Sequence, residues 1–183
     1  SSFKPFIYSA ALEKGLTPTT VVNDAPLFYS AEQTGGKPWE PKNYDGQFEG
    51  PMSVRRALAK SKSMVSIRVL QLVGTKSAQE WIARFGFPPE KHPPYLTMAL
   101  GAGAVTPMQM TTGFAVFANG GHRVTPVLIT RVVEQRGKVL FDTPPATVDT
   151  SRQVIDERNA FIMNSLLQEI TRTGTAARVQ ATL

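Results

Sequence analysis

The chain has 183 residues, 42% hydrophobic and 19% charged, with a formal net charge of +6; this suits one domain or a large part of one. It contains no cysteine, which excludes a disulfide framework and a thiolate metal site. No apolar run approaches the roughly 18 residues of a membrane span, nothing reads as a signal peptide, and the 20 Lys and Arg are scattered rather than striped as a nucleic-acid surface needs.

The first predicted element is a helix from Ser1 to about residue 15, with apolar Phe6, Ile7, Ala10 and Ala11 and Gly15 as its stop. Its opening, Ser1-Ser2-Phe3-Lys4, is a Ser-x-x-Lys. Positions i and i+3 share a helix face, so Ser1 Oγ and Lys4 Nζ can meet. A serine hydroxyl needs an adjacent base to act as a nucleophile, and a lysine in a dry pocket can be that base. Ser2 is the weaker candidate, because its i+3 partner is Pro5. The plainer reading is a helix start, with Ser1 or Ser2 as the cap and Lys4 in solvent.

Residues 16–50 are rich in Pro, Gly, Asn and Asp and predict a long loop with one short strand. Helices follow over 52–62 and 64–73, separated at the Ser61–Ser63 turn, and a third runs from about Ala78 to Phe85. Thr106-Pro107 opens a helix that Gly120-Gly121 stops, with Met108, Met110, Phe114 and Phe117 on its core face. The stretches Val124–Glu134 and Lys138–Phe141 predict a β-hairpin across Gln135-Arg136-Gly137. Asp142–Thr150 is a loop. Asp156 caps a last amphipathic helix whose apolar face is Phe161, Ile162, Leu166, Leu167 and Ile170. Arg172-Thr173-Gly174 is its exit, with Gly174 at C′. His92 and His122 lack a second ligand at metal spacing and read as surface residues, so no metal or cofactor is expected.

Several strings stand in a telling order: Ser1-Ser2-Phe3-Lys4-Pro5-Phe6, Trp39-Glu40-Pro41-Lys42-Asn43-Tyr44, Ala57-Leu58-Ala59-Lys60-Ser61-Lys62-Ser63, Ala99-Leu100-Gly101-Ala102-Gly103, Thr106-Pro107-Met108-Gln109 and Ala118-Asn119-Gly120-Gly121. Together the chain resembles the transpeptidase domain of a class A (bifunctional) penicillin-binding protein of Gram-negative type. The active-site set of that superfamily is Ser-x-x-Lys, Ser-x-Asn and Lys-Thr-Gly. The resemblance implies an α+β fold of the serine β-lactamase and penicillin-binding kind, of which this chain covers mainly the helical subdomain. It also implies a partial domain over 1–183, short of N-terminal strands and of the sheet strands bearing the third motif, and expected to fold poorly or be inactive alone.

By the same resemblance, Ser1 is the nucleophile, Lys4 the base and Ser61 the relay to the leaving amine. The implied reaction is D,D-transpeptidation of peptidoglycan stem peptides, with β-lactams as covalent inhibitors. A glycosyltransferase domain and a membrane anchor are expected upstream, placing the protein on the periplasmic face of the inner membrane. Ser63 stands where the family has Asn, and offers one hydroxyl in place of an amide. Ser63, Trp39 and Tyr44 are the candidate substrate contacts. Arg172-Thr173-Gly174-Thr175 imitates the third motif but falls at a helix exit. No Glu-x-x-Leu-Asn follows Ser61, which speaks against a β-lactamase. The competing reading is a penicillin-fold scaffold that has lost its chemistry.

Overall fold

The computed structural model describes residues 1–34, 36–144 and 150–182. Helix α1 (Lys4–Glu13) is the central element, and ten residues suffice because nearly all of it is buried. Phe6, on its first turn, is stacked on Phe117 and edge-on to Phe85, Phe87 and Phe114. Pairs at such angles satisfy the ring quadrupoles as well as burying area. Gly15, at φ 89, ends the turn beyond the helix as expected.

The 16–50 region holds more structure than its composition suggested. Strand β1 (Val21–Asp24) pairs antiparallel with β2 (Gly50–Ser53), Val22 opposite Met52, and a four-residue helix α2 (Ala31–Thr34) lies between. Two paired strands 26 or more residues apart leave no local signature. Helices α3 (Val54–Ala59) and α4 (Ser63–Val73) follow, then α5 (Thr75–Ala83). Short 3₁₀ turns at Pro89–Lys91 and Leu96–Leu100 lead to α6 (Pro107–Ala118). A full capping box starts α6: Gln109 N–H donates to Thr106 Oγ1 and Thr106 N–H to Gln109 Oε1.

The hairpin is shorter than predicted, β3 (Arg131–Val133) against β4 (Val139–Asp142), with a bulge at Val132/Val133. The expected loop over Asp142–Thr150 falls partly on 145–149, which lie outside the described residues. Helix α7 (Glu157–Arg172) is capped by Asp156 and continues into α8 (Ala177–Thr182). It packs on α1 through Asn159, which accepts from Ser9 Oγ at 2.8 Å and donates to Ser9 O and Glu13 Oε1. Trp81 Nε1 also donates to Ser9 Oγ, so one buried hydroxyl joins α1, α5 and α7.

Gly174 follows α7 for a different reason than a left-handed cap. A Cβ there would lie 2.3 Å from Ala59 O, where the chain presses on the end of α3.

Three expectations are corrected. Met108 is 59% exposed, on the first turn of α6, and Phe161 is 75% exposed, on the second turn of α7. Met108 falls on a first turn that projects past the elements covering the rest of α6, and Phe161 points away from the face on which Asn159 and Ala160 are buried. His92 is 1% exposed, because the backbone of Gly103 leaves the ring a slot.

Candidate active site

Ser1, Lys4, Tyr44, Ser61 and Ser63 line one cleft of about 500 Å³, with Lys42, Asn43, Asp45, Lys60, Lys62, Leu100 and Thr175. Trp39 is not among them. Its backbone bridges Tyr29 and its ring stacks on that tyrosine at 5.4 Å, so it anchors the loop. Tyr44 is fully exposed at the rim.

Ser1 lies just ahead of α1, whose N-cap is Phe3. Phe3 N–H donates to Ser1 Oγ at 3.3 Å. Gly101 comes against this turn from the other side. A Cβ on it would stand 2.5 Å from Ser1 Oγ, and its φ of 81 is itself a glycine conformation. Any larger residue at 101 would displace the hydroxyl.

Lys4 is 2% exposed. Its Nζ donates to Ser61 O at 2.5 Å, to Ser61 Oγ at 3.1 Å and to Ser63 Oγ at 3.5 Å. Burial pushes its pKa down to about 8, with no carboxylate beside it among the described residues to hold the charge. The Lys4 ammonium therefore makes its hydrogen bonds to the second motif, and Ser1 Oγ makes its own to Phe3. Such contacts commonly tighten only when substrate is bound.

Ser61 presents carbonyl and hydroxyl to Lys4 together because its backbone is left-handed. It is the single non-glycine residue with positive φ among those described, at 55. Strain of that kind costs about 1–3 kcal/mol and persists where the surroundings impose it. Two neighbours do so here. Asn43, 4% exposed, accepts from the backbone N–H of Ser63 at 2.8 Å and of Met64 at 3.3 Å. It thus caps α4, whose own N-cap, Lys62, supplies no side-chain bond. The Asn43 amide donates to Asp24 Oδ1 and Gln47 O, both at 2.7 Å.

Lys62 forms the second constraint. Its side chain is 2% exposed and points away from Lys4, to Asp45 at 2.9 Å, Glu49 at 3.1 Å and Asp24 at 3.5 Å. Burial opposes its charge, but hydrogen bonds to Asp45 and Glu49 and the field of Asp24 outweigh that and raise its pKa. Glu49 is held down at about 2 by Arg56 and Lys60. The alternating Ser61-Lys62-Ser63 thus sends two hydroxyls to one lysine and a second lysine into an acidic nest.

Asn43, Lys62, Asp24 and Gly101 were not singled out from sequence as site residues. The pair Gly101-x-Gly103 and the turn-rich Pro41–Gly46 string were the available signals. Among the described residues no cluster of His, Cys, Asp and Glu could hold a metal ion.

Fold and cleft together define a class, the penicillin-binding transpeptidase fold, with the Ser1–Lys4 and Ser61–Ser63 strings brought into one cleft. The chain belongs to the penicillin-binding protein transpeptidase domain family, whose model matches residues 1–182. Penicillin-binding protein 1A of Neisseria flavescens is 47% identical over the whole chain, and that of Pseudomonas aeruginosa strain PAO1 is 37% identical over 99% of it. The chain spans 23% and 28% of their lengths. The crystal structure of penicillin-binding protein 1A from Haemophilus influenzae superposes over the whole chain and 32% of its own, with a TM-score of 0.93 at 32% identity. Among the described residues no helix is long and apolar enough to cross a membrane.

Proposed function

We propose that this chain carries the acyl-transfer site of a peptidoglycan D,D-transpeptidase. The observation that supports it most is Lys4 Nζ, easily deprotonated and held by Ser61 and Ser63 in the cleft onto which Ser1 opens. Neutral Lys4 takes the proton of Ser1 Oγ as the oxygen attacks the carbonyl of the penultimate D-alanine of a stem peptide. An ester bond to Ser1 forms, the amide C–N bond breaks, and the amine of the last D-alanine leaves with a proton passed through Ser61 Oγ. An amine from a neighbouring strand then attacks the ester, restoring Ser1 and making the cross-link. Ser63 and the exposed ring of Tyr44 are the substrate contacts. A β-lactam enters the same first step, and its opened ring stays on Ser1.

The activity belongs to a longer protein, in which a glycosyltransferase domain and an anchor to the periplasmic face of the inner membrane complete the machinery. The relatives' greater length and their name, penicillin-binding protein 1A, support that setting.

Intact mass of the full-length protein after benzylpenicillin, beside its Ser1→Ala variant, tests the reading. A stable penicilloyl adduct lost in Ser1→Ala is expected. No adduct on the folded wild-type protein would sink it. The second reading, a scaffold that only contacts cell-wall partners, draws on the long 3.5 Å reach from Lys4 to Ser63, and that second outcome would favour it.

A further inference from the structure

His92 is buried beside the nucleophile turn, and the acyl-transfer steps give it no task. Among the described residues neither ring nitrogen has a hydrogen-bond partner. The ring lies flat on Phe3, with centroids 5.0 Å apart and planes 11° from parallel, and meets the edge of Phe87 at 5.7 Å. Its other side is closed by backbone, since a Cβ on Gly103 would fall 1.9 Å from His92 Nδ1. Gln79 Nε2 donates to His92 O at 2.9 Å and to Pro89 O at 3.0 Å, tying this loop to α5. A buried ring that makes no hydrogen bond gives up the hydration of its polar groups unrepaid, so the slot must select shape over polarity.

Phe3 transmits that shape to the nucleophile. It caps α1, gives its N–H to Ser1 Oγ, and has its Cβ 3.4 Å from where Gly101 would carry one. The segment Gly101–Gly103 therefore touches Ser1 and Phe3 at one end and His92 at the other. We propose that His92 is a positioning residue for acyl transfer: wedged between Gly103 and Phe3, it sets the place of the Ser1 hydroxyl through the Phe3 ring and backbone. This rests on the acyl-transfer reading above.

The ring must be neutral to stay in the slot. Burial lowers its pKa, against a smaller opposing effect from Glu90 on the same turn. The other faces present Phe3 from α1, Gln79 from α5, Phe87 and the glycine backbone, none of which titrates or offers a counter-charge. Protonation therefore ejects the ring and frees Phe3, and the loss begins only below the ordinary histidine value of about 6.5.

The test measures benzylpenicillin acylation of the full-length protein, separating the binding constant from the acylation rate constant. His92→Leu keeps the bulk but not the flat ring, and should slow acylation about tenfold with binding within about twofold. His92→Phe restores the ring and should return the rate to within about threefold. In acid, log rate for the wild type should fall with slope one as Lys4 protonates and drop by about one further log unit as His92 does, whereas His92→Phe keeps slope one throughout without that step. An unchanged rate in His92→Leu, or identical acid limbs for the wild type and His92→Phe, overturns the proposal alone. If His92→Leu does not fold, the acid limbs decide. An unlabelled wild-type protein overturns the acyl-transfer reading and this inference with it.

Discussion

In the proposed function Lys4 is the base because it is buried without a carboxylate partner among the described residues, while Lys62, next in sequence to its hydrogen-bond partners Ser61 and Ser63, is buried with three. The same chemical group is thus pushed in opposite directions, Lys4 down to about 8 and Lys62 up. Only the neutral form of Lys4 accepts a proton, so the acylation rate should be lost as pH falls through about 8 and level off above it. Following adduct formation between roughly pH 6 and 10 checks this, and a flat profile would remove Lys4 as the base. Lys4→Arg, which cannot deprotonate, should cost at least about 100-fold. At 63, a hydroxyl only grazes Lys4 Nζ at 3.5 Å. The longer amide of Ser63→Asn brings an acceptor nearer, and about a threefold to tenfold faster acylation is expected, as one improved hydrogen bond allows. A rate equal to or below that of the wild type would show that Ser63 already serves this site.

Helix α4 depends on a cap that comes from outside it. Asn43 stands 20 residues before Ser63 and meets two N–H groups of α4 while binding Asp24 on β1 and Gln47 in its own loop. Asn43→Ala leaves those buried groups unmet, with a loss of about 2–4 kcal/mol in denaturant unfolding and a slower acylation as the Ser61 turn relaxes. Asn43→Asp keeps the acceptor but sets a carboxylate against buried Asp24, so it should be no better than alanine at pH 7. A rank order with Asp well above Ala at neutral pH would mean that the cap alone matters. The elements whose causes are local were legible in the sequence: α1 up to Gly15, the Thr106-Pro107 start of α6, the Asp156 cap of α7 and its exit before Gly174. What needed the third dimension was not. The pairing of β1 with β2, the remote cap on α4 and the slot for His92 each join residues 11 or more positions apart whose local patterns say only loop. Ser1, Lys4, Ser61 and Ser63 were named from motif order and do share a cleft. Of the Trp39–Tyr44 string, Trp39 faces Tyr29 while Tyr44 lines the cleft as named, and Asn43, which was not named, stands there beside it.

The molecule as a whole divides into a part that is packed and a part that is not. Helices α1, α4 and α7 close on a continuous apolar core that includes Phe6, Ile67, Leu70, Phe117 and Leu166, all at 0% exposure. The hairpin β3–β4 has no buried residue, and Leu128, Val133, Leu140 and Phe141 stand 48–97% exposed. A lone two-stranded hairpin is marginal in water, while amides in a packed core open only with the whole fold. Hydrogen exchange of the isolated 183-residue chain should therefore separate the two, with α1 and α4 protected by several orders of magnitude more than β3 and β4. If the hairpin is unsupported, Leu140→Lys and Phe141→Lys should change unfolding free energy by no more than about 0.5 kcal/mol, the ordinary range for surface sites. They should also lower self-association, because charge on an exposed edge blocks strand-to-strand pairing. Protected hairpin amides together with a loss above about 1 kcal/mol would mean that these side chains are buried in solution. The division bears on the proposed function: Ser1, Lys4, Ser61 and Gly101 all sit against the packed part, whose rigid helices can keep the proposed hydroxyl and amine from the misplacement of about 1 Å that costs acyl transfer dearly.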